Sequence, residues 1–171
     1  MRREAATLHG VPTIRTATSA DDFTAFATLV HEYVAALPFV LDFQDVQTEL
    51  ATLAAEYGPP GGRALLAEID DSPVGCVAIR PLEPPAIAEL KRMYVRPAAR
   101  GRGLGRALAG AALEAAGERG YEIVRLDTVA EMVAAASVYE ELGFGEIGPY
   151  RHNPLPTARF YEVALGEAGS D

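Results

Sequence analysis

Apolar positions along the 171-residue chain follow two rhythms, one suited to strands and one to helices. Alternation in "PTIRTAT" (12–18) predicts a strand. Ser19 then offers an N-cap with acids behind it, and Phe23, Phe26, Leu29, Val30, Tyr33 and Val34 recur at helical spacing. That helix should stop at Leu37, before Pro38. A second helix is predicted over 44–58, ended by "GPPGG". Two apolar runs, 63–69 and 74–80, joined by "DDSP", read as a hairpin, and 86–95 as a third strand beside it. A helix follows over 103–120, a strand over 122–128, a helix over 130–143 closed by Gly143, and strands near 144–148 and 158–165.

This order places a meander before a single βαβ unit, which is an α/β or α+β chain with a mixed sheet. Residues 1–11 and 167–171 read as tails around one domain, 12–166.

Composition narrows the function classes. A 49% hydrophobic content suits one packed core, and the net charge of -9 disfavours non-specific nucleic-acid binding. Cys76 is alone, so it can form neither a disulfide nor a cysteine zinc site within the chain, and His9, His31 and His152 lack metal-ligand spacing. No secretory pattern opens the chain, and no apolar run approaches the ~20 residues that span a bilayer. A cytoplasmic protein without a membrane partner is expected. Lys91 is the single lysine among 15 cationic side chains, a bias that base composition of the genome could produce.

One stretch breaks the acidic character. "RPAARGRGLGR" (96–106) puts four arginines and three glycines into eleven residues, between a strand and a helix start. Glycines let backbone N–H groups turn inward, and the helix start adds unpaired donors and a positive dipole end. Such a loop binds anions, phosphate above all. It is no P-loop, because no Lys-Ser or Lys-Thr follows the glycines. A dinucleotide fingerprint lacks its third glycine, since Arg106 stands there, although Asp127 sits where a ribose-binding acid would.

With Arg100, Gly103 and Gly105 as an R-x-x-G-x-G core, "RPAARGRGLG" resembles the acetyl-CoA pyrophosphate loop of the GNAT superfamily of N-acetyltransferases. "ELKRMYV" resembles that family's fourth strand, and "SVYEELGF" (137–144) its later helix. The resemblance runs from about residue 12 to 166. It implies a mostly antiparallel mixed central sheet flanked by helices, and an enzyme using acetyl-CoA as co-substrate.

By that resemblance, Met93, Tyr94 and Val95 hold the pantetheine arm through the backbone, and the N–H near Met93 polarises the thioester carbonyl. Arg100, Gly101, Arg102, Gly103, Leu104, Gly105 and Arg106 hold the pyrophosphate. Tyr139 matches the position that protonates the departing sulfur, and Glu89 the position of a base acting directly or through water. Met132 stands where many members carry an asparagine. Cys76 reads as a small buried residue, so direct transfer in a ternary complex is expected.

The acceptor pocket of this fold forms from 35–44 and 149–157, which makes Phe39, His152 and Asn153 candidate contacts, with Asp42, Phe43, Tyr150 and Arg151 nearby. The acceptor should be a small-molecule or peptide amine, and the acidic surface favours a cationic one. A homodimer stays open. Two rivals remain: a non-catalytic acyl-CoA-binding regulatory module, and a dinucleotide-binding protein.

Overall fold

The computed structural model describes residues 7–39, 46–83 and 85–166. Residues 1–6 and 167–171 of the predicted tails, positions 44–45 of the second helix, and Asp42 and Phe43 lie outside these. The elements are β1 (Thr13–Thr16), α1 (Ala20–Ala36), α2 (Val46–Ala51), α3 (Leu53–Tyr57), β2 (Arg63–Ile69), β3 (Ser72–Glu83) and β4 (Ile87–Val95). They continue with α4 (Leu104–Glu118), β5 (Ile123–Val129), α5 (Val133–Glu141), β6 (Gly145–Ile147) and β7 (Ala158–Ala164).

Local chemistry explains most of the boundaries. Ser19 accepts the Asp22 N–H while Asp22 reaches back to the Ser19 N–H, a complete capping box for α1. Gly120 and Gly143 take positive φ just beyond α4 and α5. The hairpin is tighter than the predicted "DDSP" turn. Asp70 and Asp71 both adopt positive φ and form a two-residue loop, so β3 begins at Ser72. Pro73, which has no N–H to donate, enters the ladder beside a register shift at Ala67/Glu68. The predicted helix over 44–58 is broken at Thr52, and α5 starts three residues later than predicted, with Met132 in the cap position and no side-chain cap. The front tail is docked at residues 8–10. Leu8 packs on the core, and the His9 and Gly10 N–H groups donate to Asp70.

Seven strands form one sheet in the order β1-β2-β3-β4-β5-β7-β6, antiparallel throughout except for β4 and β5. Alternation divides β2 between two cores. Leu65, Ala67 and Ile69 pack with Leu108, Ala112 and Ala116 of α4, whereas Ala64 and Leu66 pack with Phe26, Leu29 and Val30 of α1 and Tyr57 of α3. The sheet is thus covered on both faces.

Two irregularities shape the centre of the sheet. The parallel pairing of β4 with β5 covers only Ile87, Ala88 and Glu89 opposite Ile123, Val124 and Arg125, after which the strands part. Farther along β4, Arg92 and Met93 together oppose the single residue Val77, and Arg92 takes φ +59. That β-bulge re-aims the end of β4. A left-handed backbone is unfavourable for arginine, and buried partners fix it there. The Arg92 guanidinium pairs with Glu49 of α2, which also accepts from the Tyr57 hydroxyl, and the Cys76 thiol donates to the Arg92 carbonyl at 3.3 Å.

Candidate active site

The parting of β4 and β5 opens a cleft of about 740 Å³, large enough for an extended cofactor. One wall is Met93, Tyr94 and Val95; the other is Met132 to Ala135, Val138 and Glu141. Arg100, Gly101, Gly103, Leu104, Gly105 and Arg106 close one end. Gly101 and Gly103 sit at φ +80 and +74, and a Cβ on either would point into open space. The first-turn N–H groups of the 15-residue α4 lack intrahelical acceptors and face the same end. The donor set is one a pyrophosphate would satisfy, so the residues present fit acetyl-CoA.

The arginines of this loop differ in role. Arg96 is pinned by Glu32 at 2.7 Å and by the Pro73 carbonyl at 2.8 Å, so it ties α1 to the loop. Arg102 reaches the Leu8 carbonyl and does not line the cleft. Arg100 lies over the Tyr94 ring and donates to the Val95 carbonyl, while Arg106 pairs with Glu141 across the cleft wall. Arg100 and Arg106 therefore supply the positive side-chain charge of the cleft, beside the carboxylates of Glu131 and Glu141.

Behind the cleft lies a smaller cavity of about 60 Å³ that shares Tyr33, Met93, Met132 and Ala135 with it. Phe39, Lys91, Arg92, Asp127, Tyr139 and Asn153 also line it. Tyr139 is buried, with its ring edge-on to Phe144 at 5.6 Å; burial pushes its hydroxyl pKa up, which keeps the proton on oxygen. Asn153 donates to Asp127 at 3.1 Å and accepts the Leu155 N–H, so its loop is fixed against the sheet. His152, next in the chain, is exposed and outside the cavity lining.

Glu89 is fully buried but stands one step back from the cavity. Its carboxylate accepts from Arg80 at 3.0 Å, from the Tyr150 hydroxyl at 2.7 Å and from Arg151 at 3.1 Å, with Lys91 at 4.0 Å. Burial alone would raise its pKa. The charges of Lys91, Arg151 and Arg80 and the Tyr150 hydrogen bond overcome that and hold it below the ordinary carboxylate value. Asp127 lines the inner cavity, 3.9 Å from Lys91 and 3.6 Å from Arg151, and not the cleft end where a ribose acid would be needed. Cys76 is completely buried, and desolvation pushes its thiol pKa far up, away from nucleophilic use.

Four cavity features were not singled out as site residues in the sequence: Lys91, the Arg92 bulge, Tyr33, and Asp127 in this role. The spacing of Glu89 and Lys91, two apart on one strand face, was the available signal for Lys91.

Residues 26–144 match the family model of the acetyltransferase (GNAT) family. The chain is 36% identical over 147 residues to an uncharacterized N-acetyltransferase of Schizosaccharomyces pombe, covering 85% of this chain and 90% of the relative. It is 39% identical over 112 residues to the human N-acetylaspartate synthetase, covering 65% of this chain and 37% of that protein. It therefore spans little more than a third of that synthetase. In structure it is similar to an acetyltransferase from Salmonella typhimurium solved with its cofactor acetyl-CoA, at a TM-score of 0.66 and 20% identity over 94% of this chain and 98% of that one. Among the described residues, no helix is long and apolar enough to cross a membrane. A sheet parted beside a glycine–arginine loop, read with these matches, makes this chain a member of the GNAT family and an acetyl-CoA-dependent N-acetyltransferase.

Proposed function

We propose that the chain transfers the acetyl group directly to the amine of a small acceptor seated in the inner cavity, within a ternary complex. The observation that carries this reading is the shared wall of the two spaces. Met93 lines both spaces and Tyr139 lines the inner one, which supports a thioester along β4 meeting a molecule in the cavity. Bound acetyl-CoA supplies an acyl group already activated as a thioester. The chain supplies orientation through Met93 to Val95, anion binding through 100–106, and a hydrogen-bond donor at the carbonyl from the backbone near Met93. Such a donor contributes about 3 kcal/mol to acyl transfer. Tyr139 is the proton donor to sulfur. Glu89, with its oxygens engaged, acts as the anchor that aligns Arg80, Arg151 and Lys91.

Phe39 and Asn153 are the acceptor contacts in this reading, and His152, turned to solvent, is not one. The cavity wall carries both signs of charge, Arg92 against Asp127, which suits a zwitterionic acceptor better than a polycation. The human relative is named for N-acetylaspartate synthesis, which puts L-aspartate first among candidates for this chain. Calorimetric titration with acetyl-CoA, free CoA and NAD comes first. A panel of L-aspartate, L-glutamate, β-alanine, spermidine and a short peptide, read by thiol release, then tests transfer. Acetyl-CoA binding with thiol release strongest for the amino acids is expected. Preference for NAD, or acetyl-CoA binding with no thiol released by any amine, overturns the reading.

A further inference from the structure

We propose that Lys91, the single lysine of the chain, is the base that takes the proton from the acceptor ammonium, with Asp127 holding that ammonium against it. The inference rests on the acetyltransferase reading of the same cavity.

Register places the pair. Glu89 and Arg125 are the last partners of β4 and β5 before the strands part. Lys91 and Asp127 are each two residues farther on, so they share one sheet face and flank the apex of the split. Their side chains are 5% and 4% exposed and stand 3.9 Å apart, and both line the inner cavity.

Other cavity groups are poorly suited to the task. Arg92 is a guanidinium that does not release its proton, and its Nε and Nη2 pair with Glu49. Tyr33 and Tyr139 have hydroxyl pKa values raised by burial and keep their protons. Glu89 is held low by its cations and lies behind the cavity wall. Among the described residues, the charged groups around Lys91 include Glu89 and Arg92 from its own strand, Asp127 from β5, and Arg151 from the loop before β7; Tyr33 of α1 and Tyr139 of α5 share its cavity. Burial and the two arginines outweigh the two carboxylates and bring the Lys91 amine down to about 8, where a neutral amine is accessible near neutral pH. Every other cation of the fifteen is arginine.

The protons balance. The acceptor ammonium gives one proton to the neutral Lys91 Nζ, and the freed nitrogen lone pair forms the C–N bond as the C–S bond breaks. A second nitrogen proton is lost in that step and replaces the one Tyr139 delivers to sulfur, so the products are amide and thiol. The proton on Lys91 passes to solvent before the next turnover.

A single lysine makes the test direct. Lysine labelled with 13C and 15N in the full chain gives one side-chain resonance, and its titration in the free protein should have a midpoint near 8. A midpoint near the ordinary 10.5 overturns the proposal. With the most active amine of the panel above, wild-type kcat should rise with unit slope up to that pH and then level. Lys91→Arg and Lys91→Met should both lower kcat by ~10²–10³-fold and lose that break, while acetyl-CoA affinity is retained. If Lys91→Arg keeps wild-type kcat and profile, Lys91 serves only as a charge and the base assignment fails alone. If the wild type releases no thiol with any amine, the acetyltransferase reading fails and the assignment falls with it.

Discussion

The Tyr139 ring and its hydroxyl serve different ends. The ring packs against Phe144 and Tyr161, and the residue also lines the inner cavity. Tyr139→Phe keeps the packing and removes the hydroxyl proposed as proton donor, so kcat should fall by ~10–100-fold with the melting temperature and acetyl-CoA affinity unchanged. Unchanged kcat would assign the proton on sulfur to another group. The position of this tyrosine was legible from "SVYEELGF" because the residues around it form one continuous helix. The partners of Glu89 were not legible. Arg80, Tyr150 and Arg151 come from β3 and from a loop about sixty residues away, and only the folded sheet brings their charges onto one carboxylate.

At the level of elements, the bulge in β4 illustrates how a distant helix sets local backbone geometry. Nothing in "ELKRMYV" announces that its arginine adopts a left-handed conformation, since β-propensity describes fit to a pleated surface and not departures from it. Glu49, 43 residues earlier, fixes that conformation through a buried ion pair. Glu49→Ala leaves Arg92 buried without its counter-charge, which should cost about 3–5 kcal/mol in urea unfolding. The Met93 backbone should move with it, so kcat should fall more than acetyl-CoA affinity. A loss below 1 kcal/mol would mean that the bulge is held by the strand itself. The geometry of the glycine–arginine loop was far more legible, because it depends on local residue types: glycine for positive φ, and a helix start for donors. Its one surprise, Arg102 turned to Leu8, involves a contact 94 residues away in sequence.

For the whole molecule, element order followed from periodicity, because burial repeats along every long strand and helix, while the helices flanking the sheet were implied by the family resemblance. The partial pairing of β4 and β5 did not follow, because both strands read as ordinary apolar runs. Yet that gap opens the cleft, and it has a mechanical side. Three residue pairs join β4 to β5, whereas seven join β3 to β4 and seven join β5 to β7. The sheet is therefore two well-knit ribbons, β1 to β4 and β5 to β7, stitched by a short seam and bridged by α4. Amide hydrogen exchange should resolve them as separate cooperative units, with β5, β7 and β6 opening at lower free energy than β2 to β4. One shared exchange rate across both ribbons would show that α4 welds them. A ligand lying along the seam and touching both ribbons would raise the protection of the weaker one most. The protein would then be least cooperative when empty and most unified when loaded, so that binding completes its tertiary structure as well as its chemistry.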